Sequence, residues 1–178
     1  MLVRSRRPLS GPRLRCPAVA RILLVGGGCR GRLLATELVR EGHAVRITTR
    51  SNAGRGAIEA AGAECWLGTP ARLATLRGVL DGVAIACWLL TSARGDAEEL
   101  LALHRERLQF FLTQLIDTTV RGFVYEVPAD ASLSGEDAVA RLTSQNAIPL
   151  QLLRADAADP EAWLGAARLS LHALLERA

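Results

Sequence analysis

The stretch LLVGGGCRGRLLATEL, residues 23–38, governs the interpretation of the whole chain. An apolar run ends in three consecutive glycines, and Leu33, Leu34, Leu38 and Val39 then recur at helical spacing. The order is strand, tight turn, helix. Gly26, Gly28 and Gly31 stand as G-x-G-x-x-G across that turn. Each glycine has its own reason there: Gly26 for the tight turn, Gly28 so that backbone can approach a diphosphate, Gly31 so that helix and strand can pack closely. The unpaired amides at the start of the helix, Cys29 and Arg30 among them, favour an anion, as does the helix dipole.

The same alternation repeats along the chain. Strands are expected at 21–25 (RILLV), 44–49 (AVRITT), 63–67 (AECWL), 83–90 (VAIACWLL), 122–127 (GFVYEV) and 149–154 (PLQLLR). Helical segments are expected over 32–40 and 57–61, from the Thr69-Pro70 start to about Leu80, and from the Asp96 cap to about Thr118. Others are expected near 135–146 and from Pro160 onward. Six near-continuous apolar strands that alternate with helices imply one doubly wound parallel sheet, a Rossmann α/β domain with helices on both faces.

The net charge of +4 belongs to one end of the chain. All 22 basic residues are arginine, and six of them (Arg4, Arg6, Arg7, Arg13, Arg15, Arg21) fall in the first 21 residues, which hold no acid. The remainder carries 16 arginines against 18 acids, so no basic face for nucleic acid is expected on the domain. Residues 1–20, rich in Arg and Pro and without period, read as a disordered basic tail, with the dinucleotide-binding domain over 21–178. Arg6-Arg7 is similar to a twin-arginine signal, but Arg21 interrupts the apolar stretch such a signal needs. No apolar run approaches the roughly 20 residues of a membrane helix, so no membrane partner and a cytoplasmic location are expected. The four cysteines are widely spaced without a C-x-x-C, which argues against a metal cluster or disulfide framework.

The end of the second strand discriminates between cofactors. An acid about 20 residues beyond the glycines binds the ribose hydroxyls of NAD, and an arginine there accommodates the 2′-phosphate of NADP. This chain has Thr48-Thr49-Arg50-Ser51-Asn52 and then Arg55, with no acid before Glu59. Arg50, Ser51 and Arg55 therefore favour NADP(H) over NAD(H).

The succession RILLVGGGCRGRLLATELVREGHAVRITTR, GAECWLGTPARLATLRGVLDGVAIACWLL, RGFVYEV and NAIPLQLLRAD resembles the extended and atypical short-chain dehydrogenase/reductases over about residues 21–155. That broad group includes nucleoside-sugar epimerases and dehydratases and the dinucleotide-sensing nitrogen-metabolite-repression regulators. The resemblance implies cofactor contacts at Thr69, after the third strand, and Thr91, after the fourth. Two departures stand out. Val25 replaces the first glycine of the family's G-x-x-G-x-x-G, and Gly68-Thr69 replaces its Gly-Asp.

The resemblance also implies a Tyr-x-x-x-Lys pair, and the chain contains no lysine. Its single tyrosine, Tyr125, lies inside the fifth strand, and Glu126-Val127 replace the serines that come after that run in the family. Little chain remains after the sixth strand to build a substrate lobe, so a homo-oligomer or a partner subunit is the expected means of completing a pocket. Two functions remain open: an atypical NADP-dependent oxidoreductase or epimerase-like enzyme, and a non-catalytic dinucleotide sensor or assembly partner.

Overall fold

The computed structural model describes residues 19–26 and 28–177. The basic tail up to residue 18, with Cys16, lies outside the described residues, as does Gly27. The chain forms β1 (Arg21–Gly26), α1 (Gly28–Arg40), β2 (Ala44–Thr49), α2 (Arg55–Ala60), β3 (Glu64–Leu67) and β4 (Ile85–Leu89). Then come α3 (Ala97–His104), α4 (Glu106–Leu115), β5 (Phe123–Glu126), α5 (Glu136–Gln145), β6 (Leu150–Leu153) and α6 (Pro160–Leu175). The strands make one six-stranded sheet in the order β3-β2-β1-β4-β5-β6, every pair parallel. All six predicted strands form, and the architecture is the expected single doubly wound sheet.

The alternation of side chains along β1 builds two cores. Ile22 and Leu24 pack with Leu34, Ala35 and Leu38 of α1 and with Trp163, Ala167 and Leu171 of α6. Leu23 and Val25 point to the other face, with Leu108, Phe111 and Leu112 of α4 and Val139 of α5. Since β1 and β4 are central neighbours, the strand order reverses between them, and the crevice that a doubly wound sheet offers to ligands opens at their carboxyl ends.

Three expectations change. Helix α1 begins at Gly28, one turn before Arg32, so the glycine turn runs directly into it. The helix expected from Thr69-Pro70 to Leu80 is absent; only a 3₁₀ turn over Leu73–Leu76 forms. Its polar side chains close local turns instead: Thr69 Oγ1 accepts from the Ala71 amide at 3.3 Å, and Thr75 Oγ1 accepts from the Thr69 amide at 2.9 Å. Gly78, at φ +75°, then takes a backbone conformation that no right-handed helix can contain. The long helix from Asp96 divides at Arg105, whose φ of −118° and ψ of −90° are not helical. There Gly135 presses against the His104 carbonyl where a Cβ would overlap it, and Arg105 donates to the Ser132 carbonyl at 2.9 Å.

Candidate functional site

A cleft of about 480 Å³ opens over the carboxyl ends of β1, β2, β3 and β4. That volume lies within the usual range of small-molecule sites. The glycine turn forms one wall. Gly26 has φ +84°, and a Cβ on it would come within 2.8 Å of the Leu89 carbonyl. Gly28 has φ +51°, and the nearest atom to its Cβ position is Ser92 Oγ at 3.9 Å, so that position faces open space in the cleft. A Cβ on Gly31 would lie 3.2 Å from the Gly26 carbonyl, which explains how α1 sits so tightly on the end of β1. The Gly26 amide donates to Thr48 Oγ1 at 3.1 Å and so ties the turn to β2.

Of the residues singled out by sequence, Gly26, Gly28, Arg50 and Thr69 line the cleft together. Cys29 and Gly31 sit in the first turn of α1. Cys29 is exposed, with Arg32 Nη2 3.1 Å from its sulfur. The first amides of the helix have no intrahelical acceptor. Ser51 is exposed and begins the turn after β2. Arg55 is directed to Glu59, one helical turn on, at 3.3 Å. Arg30 and Thr91 lie together away from the cleft lining, with Arg30 Nη2 3.2 Å from Thr91 Oγ1.

The cleft also holds residues beyond those candidate contacts. Arg32, Arg94 and Arg107 join Arg50 in its lining, against the single acid Glu99. No carboxylate pairs with any of these four guanidiniums among the described residues, whereas Arg40, Arg46, Arg55, Arg154 and Arg168 each pair with one. Arg107 had a legible signal: it continues the stripe Leu100, Leu103 around the helix, a cation where an apolar side chain is expected. Leu100 and Leu103, with Ile47 and Ile58, give the cleft an apolar lining suited to a flat ring. The result is a basic cleft with an apolar wall.

Tyr125 has a different setting. It is fully buried, its hydroxyl accepts from the Gly135 amide at 3.1 Å, and it lies 3.1 Å from His104 Nδ1. Burial pushes its phenol up from the ordinary value, so the group keeps its proton. Burial likewise pushes His104 down to about 4. The unfolded chain takes that proton near the usual histidine value of about 6.5. Stability from a neutral His104 is therefore complete above pH 6.5 and is lost as the pH falls toward 4. The expected loss is about 2–3 kcal/mol. Denaturant titrations at pH 7 and pH 4.5 measure it, and His104→Gln removes most of the difference. A His104→Gln variant with the parent's pH dependence excludes this source.

No family model matches the chain, and no curated protein matches it. Solved structures do. Triphenylmethane reductase of Citrobacter sp., complexed with NADP(H), is similar at 18% identity and a TM-score of 0.59, covering 75% of this chain and 48% of that one. UDP-glucose 4-epimerase of Thermotoga maritima, with UDP-glucose, is similar at 14% identity and a TM-score of 0.60, covering 75% and 54%. Yeast methylglyoxal/isovaleraldehyde reductase, complexed with NADPH, is similar at 15% identity and a TM-score of 0.55, covering 75% and 52%. This chain therefore shares a fold with part of these reductase and epimerase structures and spans about half the length of each. Among the described residues no helix is long and apolar enough to cross a membrane.

Proposed function

We propose that this chain is an NADP(H)-binding protein of the atypical short-chain dehydrogenase/reductase type, and that it holds the dinucleotide without a Tyr/Lys proton relay. The observation that carries the reading is the cleft itself. A glycine turn and helix N-terminus stand beside four arginines that lack carboxylate partners among the described residues. Gly26 and Gly28 fit the approach of a pyrophosphate, which the amides of Cys29, Arg30 and Gly31 and the side chain of Arg32 would hold. Arg50, with Ser51 beside it, would hold the 2′-phosphate. The wall of Ile47, Ile58 and Thr69 would take the adenine. The bound cofactor would supply hydride chemistry; the chain supplies binding and orientation.

Lack of a proton relay favours the role of sensor or assembly partner over that of enzyme. Tyr125 is locked in the core by His104 and Gly135, and no lysine exists to lower its pKa. A partner subunit or second copy would be needed to cover a substrate.

Calorimetric titration with NADPH and NADH tests the reading. A charge-assisted hydrogen bond is worth about 1.5–3 kcal/mol, so NADPH should bind roughly ten- to hundredfold tighter. Arg50→Asp should abolish that preference and leave NADH equal or improved. Equal affinity for both in the parent, unchanged by Arg50→Asp, removes the NADP assignment.

A further inference from the structure

A doubly wound sheet binds a dinucleotide across two mononucleotide halves, one over β1–β3 and one over β4–β6. The cleft of this chain covers the first and reaches the second only at the end of β4 and the helices that follow it. Its lining comes from the ends of β1, β2, β3 and β4 and from α1, α2, α3 and α4, with no residue of β5, β6, α5 or α6.

Over the second half stands a closed polar network. Glu126, the last residue of β5, is paired with Arg30 of α1 at 3.2 Å, the side chains 4% and 11% exposed. The Thr91 amide, just after β4, donates to Glu126 Oε2 at 3.2 Å, and Trp163 Nε1 of α6 donates to Oε1 at 2.7 Å. Arg30 also donates to Thr91 Oγ1 and lies 4.8 Å above the Trp163 ring. Four separate elements are thereby joined at one carboxylate. The span matters as much as the burial. Arg30 stands in the first turn of α1, where a pyrophosphate would rest, and reaches to the end of β5. A second nucleotide leaving that pyrophosphate would have to take the same line.

We propose that the Arg30–Glu126–Thr91–Trp163 network closes the second mononucleotide half, so that the chain grips its ligand by the phosphoadenosine half alone. The ligand class is a 2′-phosphorylated adenine nucleotide, and the nicotinamide end of a dinucleotide stays in solvent. The proposal rests on the NADP(H) reading above and narrows it. A site of this kind cannot distinguish NADP⁺ from NADPH. It responds to the amount of 2′-phosphorylated nucleotide and not to its oxidation state.

Calorimetry on the full chain with NADP⁺, NADPH, adenosine 2′,5′-bisphosphate and nicotinamide mononucleotide decides the matter without any variant. The expected result is that the first three bind within tenfold of one another and the mononucleotide gives no binding. If either dinucleotide binds more than tenfold tighter than the bisphosphate, or if nicotinamide mononucleotide binds by itself, the second half is open. The closure is then wrong while the NADP(H) reading stands. If none of the four binds, the NADP(H) reading itself falls and takes the closure with it.

Discussion

Replacing Glu126 with leucine lowers the unfolding free energy by about 3–5 kcal/mol, the cost of removing one partner from a buried ion pair. Three donors depend on this carboxylate: Arg30, the Thr91 amide and Trp163 Nε1. Arg30 is the costliest of them to abandon. Its Nη1 is already buried without a hydrogen-bond partner, so Glu126→Leu leaves a guanidinium held only by Thr91 Oγ1 and the Trp163 face. The double variant Arg30→Met, Glu126→Leu removes the charge together with its partner. It should lose less than the single variant, because only the amide and indole donors stay stranded, at about 1–3 kcal/mol each, and no buried charge is left unpaired. Urea denaturation of both variants at pH 7 gives the comparison. A single-variant loss under about 1 kcal/mol, or a double variant less stable than the single, means that Arg30 is solvated and the network is not a buried one.

The same four residues show where sequence reasoning stops. The strands were legible because a parallel sheet buries both faces and so leaves continuous apolar runs. The glycine turn was legible because its three positions are local to one strand–helix junction. Arg30 was legible only as a cation at a helix start, which suggests phosphate. Its actual partner is Glu126, far along the chain, and only the fold brings β5 beside α1. Local conflicts hid the rest. Thr69-Pro70 carries a sound helix-start signal, but Gly78 at positive φ stops a helix from continuing through it, and sequence shows a glycine without showing its φ. Leu100 to Leu115 keeps a helical period through Arg105, and at the break Gly135, distant in sequence, packs against the His104 carbonyl. That break also separates Leu100 and Leu103 on α3 from Arg107 on α4. The cleft's basic character was partly visible at Arg50. At Arg94 and Arg107 the lack of a carboxylate partner could not be read, because pairing is a tertiary property.

Gly28→Val should weaken NADPH binding by more than a hundredfold while the fold survives. The Cβ position of Gly28 meets nothing closer than Ser92 Oγ at 3.9 Å, so a side chain there clashes with no core atom. It projects instead into the cleft, at the point where backbone must approach a diphosphate. A branched side chain holds the ligand off the first-turn amides of α1, which then have only water to bind. Loss of even two charge-assisted hydrogen bonds at about 1.5–3 kcal/mol each exceeds a hundredfold in Kd. The variant also carries a conformational cost, because φ +51° is strained for a β-branched residue. That strain is of order 1–3 kcal/mol and lowers the melting temperature without unfolding a domain of ordinary stability. Gly28→Ala separates the two effects: it bears less strain and still places a methyl group in the cleft. Calorimetry with NADPH, beside circular dichroism for the fold, gives the answer. A folded Gly28→Val variant that binds as tightly as the parent moves the diphosphate away from the glycine turn, and the proposed site with it.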